Sequence, residues 1–361
     1  MRFRSGLVTV LDQAWLSLLN LAISLAFIRF SSKREFGVYL LLMTPLYLVQ
    51  GVQNALLLSP IATVLPATQQ GERPSVIDTA VSAQVVFITT SSVLASIALG
   101  AYFLVTQDSI DLSLCFAFSL ALAGTMAREA GRGLSYTQGL PERALRSDVV
   151  YGIGLLSVIA GLIVFGYLSA KTVLIGTGIA TLWPYLFQIS SKFRLALTRD
   201  VLLQFWACGR WALLGVLVTW VNLNAYPLIV GMSLNTSSVA DINAARLFMM
   251  PFVLGITGWS NLVRPSISAW MAKGNLINIR RISLQSIMAG LLAISCFTAV
   301  IYLAYPIIEP FLGSEYSGLA RLIVLWAIFF AFALVRTVFM ASLMTDAHGY
   351  RELQAISWYA L

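Results

Sequence analysis

Three charged side chains interrupt long apolar runs: Asp12, Arg246 and Arg336. A guanidinium in such a setting needs an anionic partner, and its planar fork of donors matches phosphate or carboxylate oxygens in pairs. Arg246 is therefore a candidate anion ligand; the alternative is an arginine at the outer end of its helix whose head extends to the interface. Arg336 lies several residues inside its run, so it either lines a cavity or pairs with a carboxylate. Asp12 has two readings: a seat for a coupling proton or sodium ion, or an ion pair with a neighbouring arginine.

Uncharged polar residues add a pattern. Gln13, Ser17, Asn20 and Ser24 fall at i, i+4, i+7 and i+11, and Gln50, Gln53 and Asn54 at i, i+3 and i+4. Asn222 lies near Trp220 and Asn224, while Thr257, Asn261 and Arg264 follow Arg246 at helical spacing. Each set gives one polar face to an otherwise apolar helix, with a residue such as Leu19 toward lipid. Amides are costly against lipid, so these faces read as walls of a water-filled cavity, or else as glue between helices. The candidate cavity residues are thus Asn20, Gln50, Asn54, Asn222, Asn261, Arg246 and Arg336, with Asp12 the candidate for ion coupling.

The elements that must position them are membrane helices. The 361 residues are 59% hydrophobic and 11% charged, with a mean hydropathy of +0.84, which is too apolar for a soluble core. Runs of about 20 apolar residues match the hydrocarbon thickness as helices and do not alternate as barrel strands do. They place spans at residues 7–28, 36–58, 79–105, 112–126, 149–168, 173–190, 211–232, 244–263, 282–305 and 319–343. An eleventh begins at 353 and stops at 361. Pro45 should bend the second span, and residues 128–148 form the longest charged connector.

The net charge of +8 sits in short loops, a topology signal rather than a nucleic-acid surface. With the N-terminus in the cytoplasm, sixteen Lys and Arg face inward and six outward, Arg336 being the remaining one of 23. Cys115, Cys208 and Cys296 form no CxxC pair and His348 stands alone, so neither a disulfide framework, a metal site nor a cofactor is readable. No outer loop exceeds about fifteen residues, which leaves no room for an enzyme's catalytic loop.

The basic segment 192–200 marks a boundary between residues 1–200, with six spans, and 201–361, with four and the start of a fifth. A shift of 205 residues superposes Trp15 on Trp220, Leu18 on Leu223, Leu42 on Leu247, Leu57 on Leu262, Pro60 on Pro265 and Ala67 on Ala272. The expected fold is all-α and polytopic, two pseudo-symmetric lobes related by an axis along the membrane normal.

Asp12-Gln13, the basic turn RFSSKREFGVY at 29–39, NALLLSP at 54–60, and the run from Arg128-Glu129 through Pro141 to Asp148 together resemble the bacterial polysaccharide flippases of the MOP superfamily. These are relatives of the MATE exporters and the peptidoglycan-precursor flippases. The resemblance implies two six-helix lobes around a central cavity, with the second incomplete here. It implies export of a polyprenyl-pyrophosphate-linked oligosaccharide across the inner membrane, with other polysaccharide-assembly membrane proteins as further partners. Peptidoglycan-precursor flippases hold pyrophosphate with an Arg/Asp pair in span 1 and an arginine in span 8. Here Asp12 and Arg246 match by position, while Gln13 replaces the first arginine. A MATE-like multidrug exporter coupled to a cation is the alternative; it would call for more intramembrane carboxylates than Asp12.

Overall fold

The computed structural model describes residues 2–106, 111–188, 196–272, 275–316 and 318–343. Among them, thirteen α-helices and two short π and 3-10 segments form all the regular structure. They are α1 (Arg2–Phe30), α2 (Lys33–Gln53), α3 (Ser59–Ala67), α4 (Arg73–Thr106), α5 (Leu112–Thr137), α6 (Pro141–Val164), α7 (Ala170–Gln188), α8 (Arg199–Asn224), α9 (Tyr226–Ser233), α10 (Thr236–Leu247), α11 (Met250–Ala272), α12 (Leu276–Leu312) and α13 (Ala320–Leu343). Seven helices in the described residues are long and apolar enough to cross a membrane, or up to nine if each of two bent pairs is one span. All ten expected spans overlap helix, but the fifth (149–168) runs past the end of α6 at Val164, the sixth (173–190) runs past Gln188 out of the described residues, and the seventh (211–232) is divided between α8 and α9 at Ala225. The start of an eleventh, and His348, lie outside the described residues.

Three of the differences from the sequence reading have a local cause. The charged stretch 128–148 is not a connector: α5 continues to Thr137, and only Gln138–Leu140 separates it from α6. The chain turns there because Gly139 adopts φ +74° and Pro141 opens the next helix. The expected eighth span is not one helix; α10 and the first turns of α11 meet at 57°, just ahead of Pro251, which cannot return an N–H to the preceding turn. Finally, α2 stays helical through Pro45. Its departure from α geometry comes at Asn54–Leu58, a π segment ahead of Pro60.

The basic turn between α1 and α2 is a cap. The Ser32 side chain accepts from Glu35 N–H at 3.3 Å, and Glu35 in turn accepts from Ala170 N–H at 2.7 Å, closing the first turn of α7. Phe27 beneath it stacks on Phe36 and Tyr39 at 5.5 and 4.8 Å. Packing then divides the chain into two compact units, Met1–Thr236 and Ser237–Leu361. In the first, α5 and α7 cross where Gly124 and Gly178 face each other. A Cβ on Gly124 would stand 2.8 Å from the Gly178 carbonyl, so only glycine permits that approach. α8 belongs to this unit because it packs along α2, the π segment and α3. In the second unit α12 and α13 pair, and Trp326 of α13 donates its indole N–H to Ile242 O of α10 at 2.8 Å.

Candidate functional site: a buried ionic network and two arginines

Arg128, Arg132 and Tyr136 recur at i, i+4 and i+8 on α5, so one face of an otherwise apolar helix carries both guanidinium groups and the phenol. That face meets α1 and α6. Arg132 Nη2 donates to Asp12 Oδ2 at 2.8 Å, its Nε lies 2.6 Å from Asp148 Oδ2, and its Nη1 reaches both Glu129 oxygens at 3.0 and 3.1 Å. Tyr136 donates its hydroxyl to Asp12 Oδ2 at 2.6 Å. Arg128 bonds Glu129 at 2.8 Å, approaches Asp148 Oδ1 at 3.6 Å and lies over the Tyr151 ring at 4.4 Å. Trp15 donates to the Asp148 carbonyl at 2.9 Å, and Gly152 gives its indole room.

Asp12 and Asp148 are fully buried, and Arg132 nearly so. One guanidinium fork thus bridges carboxylates of three helices, which a lysine's single ammonium could not do in this geometry. The five ionisable groups carry three carboxylates against two guanidinium groups, an excess of one negative charge when all are ionised. Sequence reading found Asp12 but placed Arg128, Glu129, Arg132 and Asp148 in a loop. The spacing of the α5 face was the available signal, hidden because hydropathy averages over charges.

The polar stripes of the first two spans separate into wet and structural parts. On α1, Gln13 and Asn20 are exposed, Ser17 and Ser24 half-buried, and Ser24 returns its hydroxyl to Asn20 O. Leu11, Leu18 and Leu25 are exposed on a face about 140° away at about 100° per residue. Between them runs the packed edge with Asp12, Leu19 and Ile23, so Leu19 is a core residue and not a lipid-facing one. On α2, Gln50 is half-buried and Asn54 exposed. Gln53 belongs to neither a wet face nor a cavity: it is fully buried and donates to Gln84 Oε1 and Met126 O, both at 2.8 Å. A cysteine at Asn20 is expected to react readily with a hydrophilic thiol reagent, and one at Leu18 not, since thiolate forms only in water. Equal reactivity at both would reduce the stripe to packing.

The remaining candidates are placed one by one. Asn222 is exposed near the end of α8 and bonds Val218 O at 2.8 Å. Arg246, in the last turn of α10, is half-buried with its guanidinium 5.6 Å from the Trp326 ring. The break before α11 means that Arg246 does not continue onto one straight face with Thr257, Asn261 and Arg264, whose side chains lie outside the described residues. Arg336 is exposed on α13 and makes no ion pair among the described residues.

No protein-family model matches the chain, and no curated protein matches it by sequence. Solved structures do. The chain is similar to a multidrug resistance MATE family transporter of the MOP superfamily in an inward-facing conformation, with a TM-score of 0.71 and 16% identity over 92% of this chain and 80% of that one. It is similar to the lipid II flippase MurJ in an inward closed conformation, with a TM-score of 0.72 and 14% identity over 94% and 76%. A third match is a MOP superfamily transporter from Pyrococcus furiosus Vc1, described as having a binding pocket of reverse polarity, with a TM-score of 0.56 and 14% identity over 95% and 85%. At these identities the likeness is one of fold: an all-helical, multi-span membrane fold that MATE exporters and a lipid flippase share.

Proposed function

We propose that this chain is a membrane flippase that carries a polyprenyl-pyrophosphate-linked oligosaccharide from the cytoplasmic to the outer leaflet for polysaccharide export. The observation that carries the reading is the distribution of charge within the spans. Asp12, Glu129 and Asp148 are all tied to arginines in the first unit, while Arg336 stands exposed on an apolar helix of the second. An exposed guanidinium among apolar residues favours an anionic cargo such as a pyrophosphate, whose lipid tail can remain in the bilayer. Arg246, with its ring-supported guanidinium, is the second anion ligand of that unit, where Asn261 adds an amide; in the first unit Asn20, Gln50, Asn54 and Asn222 supply donors and acceptors suited to a glycan.

The excess negative charge around Asp12 and Asp148 is the proposed seat of coupling to a proton or sodium gradient. The alternative is a cation-coupled multidrug exporter, favoured by the likeness to MATE transporters and by the aspartate in α1. Complementation separates the two: flippase-null hosts of defined polysaccharide type should regain surface glycan when given this chain. Restored resistance to cationic drugs without restored glycan would select the alternative.

The proposed location is the bacterial inner membrane with the N-terminus in the cytoplasm, from the sixteen-to-six distribution of Lys and Arg. Gln138 lies in the exposed turn between α5 and α6. A lone cysteine at Gln138 should therefore resist an impermeant maleimide in intact cells and label after permeabilisation. Labelling in intact cells would invert the topology.

A further inference from the structure

α2 and α8 run in opposite directions and touch at three points. Trp220 donates its indole N–H to Thr44 O at 2.9 Å. Val216 lies over Gly51, where a Cβ would stand 2.7 Å from the valine Cγ1. Gly209 sits against the Ala55 carbonyl, where a Cβ would stand 2.6 Å from the oxygen and 3.0 Å from Leu56 Cα. The contacts fall at i, i+7 and i+11 on both helices, so the seam follows one face of each. At Gly209 only glycine fits against the backbone, and at Gly51 the absent side chain leaves room for a Val216 methyl.

The last of these contacts lies on the π segment. Pro60 has no N–H, and its ring excludes the carbonyl four residues back. Ser59 N–H bonds Asn54 O, five residues back, and widens the turn. A π turn holds one residue more than an α turn, so the helix before it is rotated by about 100° against the helix after it. Gln50 and Asn54 lie at that step, and Ser59 Oγ donates across it to Asn54 Oδ1 at 3.2 Å. The step also separates two apolar cores. Leu42, Met43 and Leu46 pack with α5 and Leu174 of α7, whereas Leu57, Ile61 and Leu65 pack with Val76 and Ala80 of α4 and Val201 and Phe205 of α8. α8 bends by 41° on the same stretch, between Arg199–Leu213 and Gly215–Asn224.

We propose that Asn54–Leu58 is a helix-register switch that α8 holds in its π form. Gly209 brings α8 close enough for its Cα–H to meet the Ala55 carbonyl, whose partner in π register, five residues on, is Pro60 and has no N–H to give. When α8 withdraws, that support is lost and the segment returns toward α register. Gln50 and Asn54 then turn relative to α3, which moves them into or out of the wet face they share. The switch exists independently of the cargo proposed above, and its test needs no cargo.

A disulfide across the seam provides that test. The ideal Cβ of Gly51 lies 3.9 Å from Val216 Cβ, within the range of about 3.5–4.5 Å that a disulfide spans. Gly51→Cys/Val216→Cys, in a background with Cys115, Cys208 and Cys296 replaced by serine, should cross-link on oxidation. Hydrogen exchange of the purified full chain in nanodiscs is then followed for the amides of residues 55–59. Exchange there should slow by about tenfold when the bond is formed and recover on reduction, with a peptide from α5 unchanged. Gly209→Ala, which pushes α8 off the carbonyl, should speed exchange in the same residues. Equal exchange in the oxidised and reduced forms, failure of the bond to form, or no change in Gly209→Ala would each overturn the proposal.

Discussion

Arg132→Ala is expected to lower the melting temperature of the detergent-solubilised protein more than any other single truncation in the first unit. Removing the side chain leaves Asp12 without its guanidinium and Asp148 with only the longer approach of Arg128. Both carboxylates are fully buried, so neither gains water in exchange. Breaking a buried pair by deleting one partner costs roughly 3–5 kcal/mol, because the other charge stays behind uncompensated. Arg132→Lys should fall between the wild type and Arg132→Ala, since one ammonium cannot serve Asp12, Asp148 and Glu129 together. Adding Asp12→Asn to Arg132→Ala should recover part of the loss by removing the orphaned charge. A melting temperature unchanged by Arg132→Ala would mean that the network does not hold α1, α5 and α6 together.

Arg246→Ala should abolish export in a complementing host at unchanged expression, and Arg246→Lys should impair it. Charge-assisted forks to a phosphate are worth about 1.5–3 kcal/mol each, so loss of the fork matters even where the charge is kept. Arg246 also rests on the Trp326 ring, a contact worth about 0.5–2 kcal/mol. Lysine retains that contact in part, and the melting temperature of each variant therefore separates packing from cargo binding. If Arg246→Ala exports normally, Arg246 is an interfacial anchor and the anion site centres on Arg336.

The spans were legible because a helix crossing hydrocarbon needs about 20 apolar residues, and that length survives any detail of packing. The ends of α5 and α6 were not. Arg128 and Arg132 depress hydropathy just where helical spacing continues, and burial of arginine depends on carboxylates from α1 and α6 that are distant in sequence. Pro251 carried a signal of the break between α10 and α11 that the reading of 244–263 as one span passed over, since a proline early in a helix marks its start. The difference between Gln50 and Gln53 had no local signal. It arises because Gln84 and the Met126 carbonyl lie opposite one of them and not the other. Leu18 and Leu19 differ for the same reason: adjacent residues sit about 100° apart, and only the neighbouring helices decide which is covered. Asp12 was singled out from the sequence, whereas the spacing of Arg132 and Tyr136 could mark a polar face but not name Asp12 as their partner.

The most direct measurement of the central claim is leaflet transfer in proteoliposomes. Purified protein is reconstituted with a fluorescent polyprenyl-pyrophosphate oligosaccharide, and the pool reached by an impermeant reductant that quenches the fluorophore is followed in time. The account predicts that the protected inner pool becomes accessible only in vesicles containing the protein, and more slowly with Arg336→Ala. Accessibility no greater than in protein-free vesicles, together with protein-dependent movement of an organic cation such as ethidium, would contradict it.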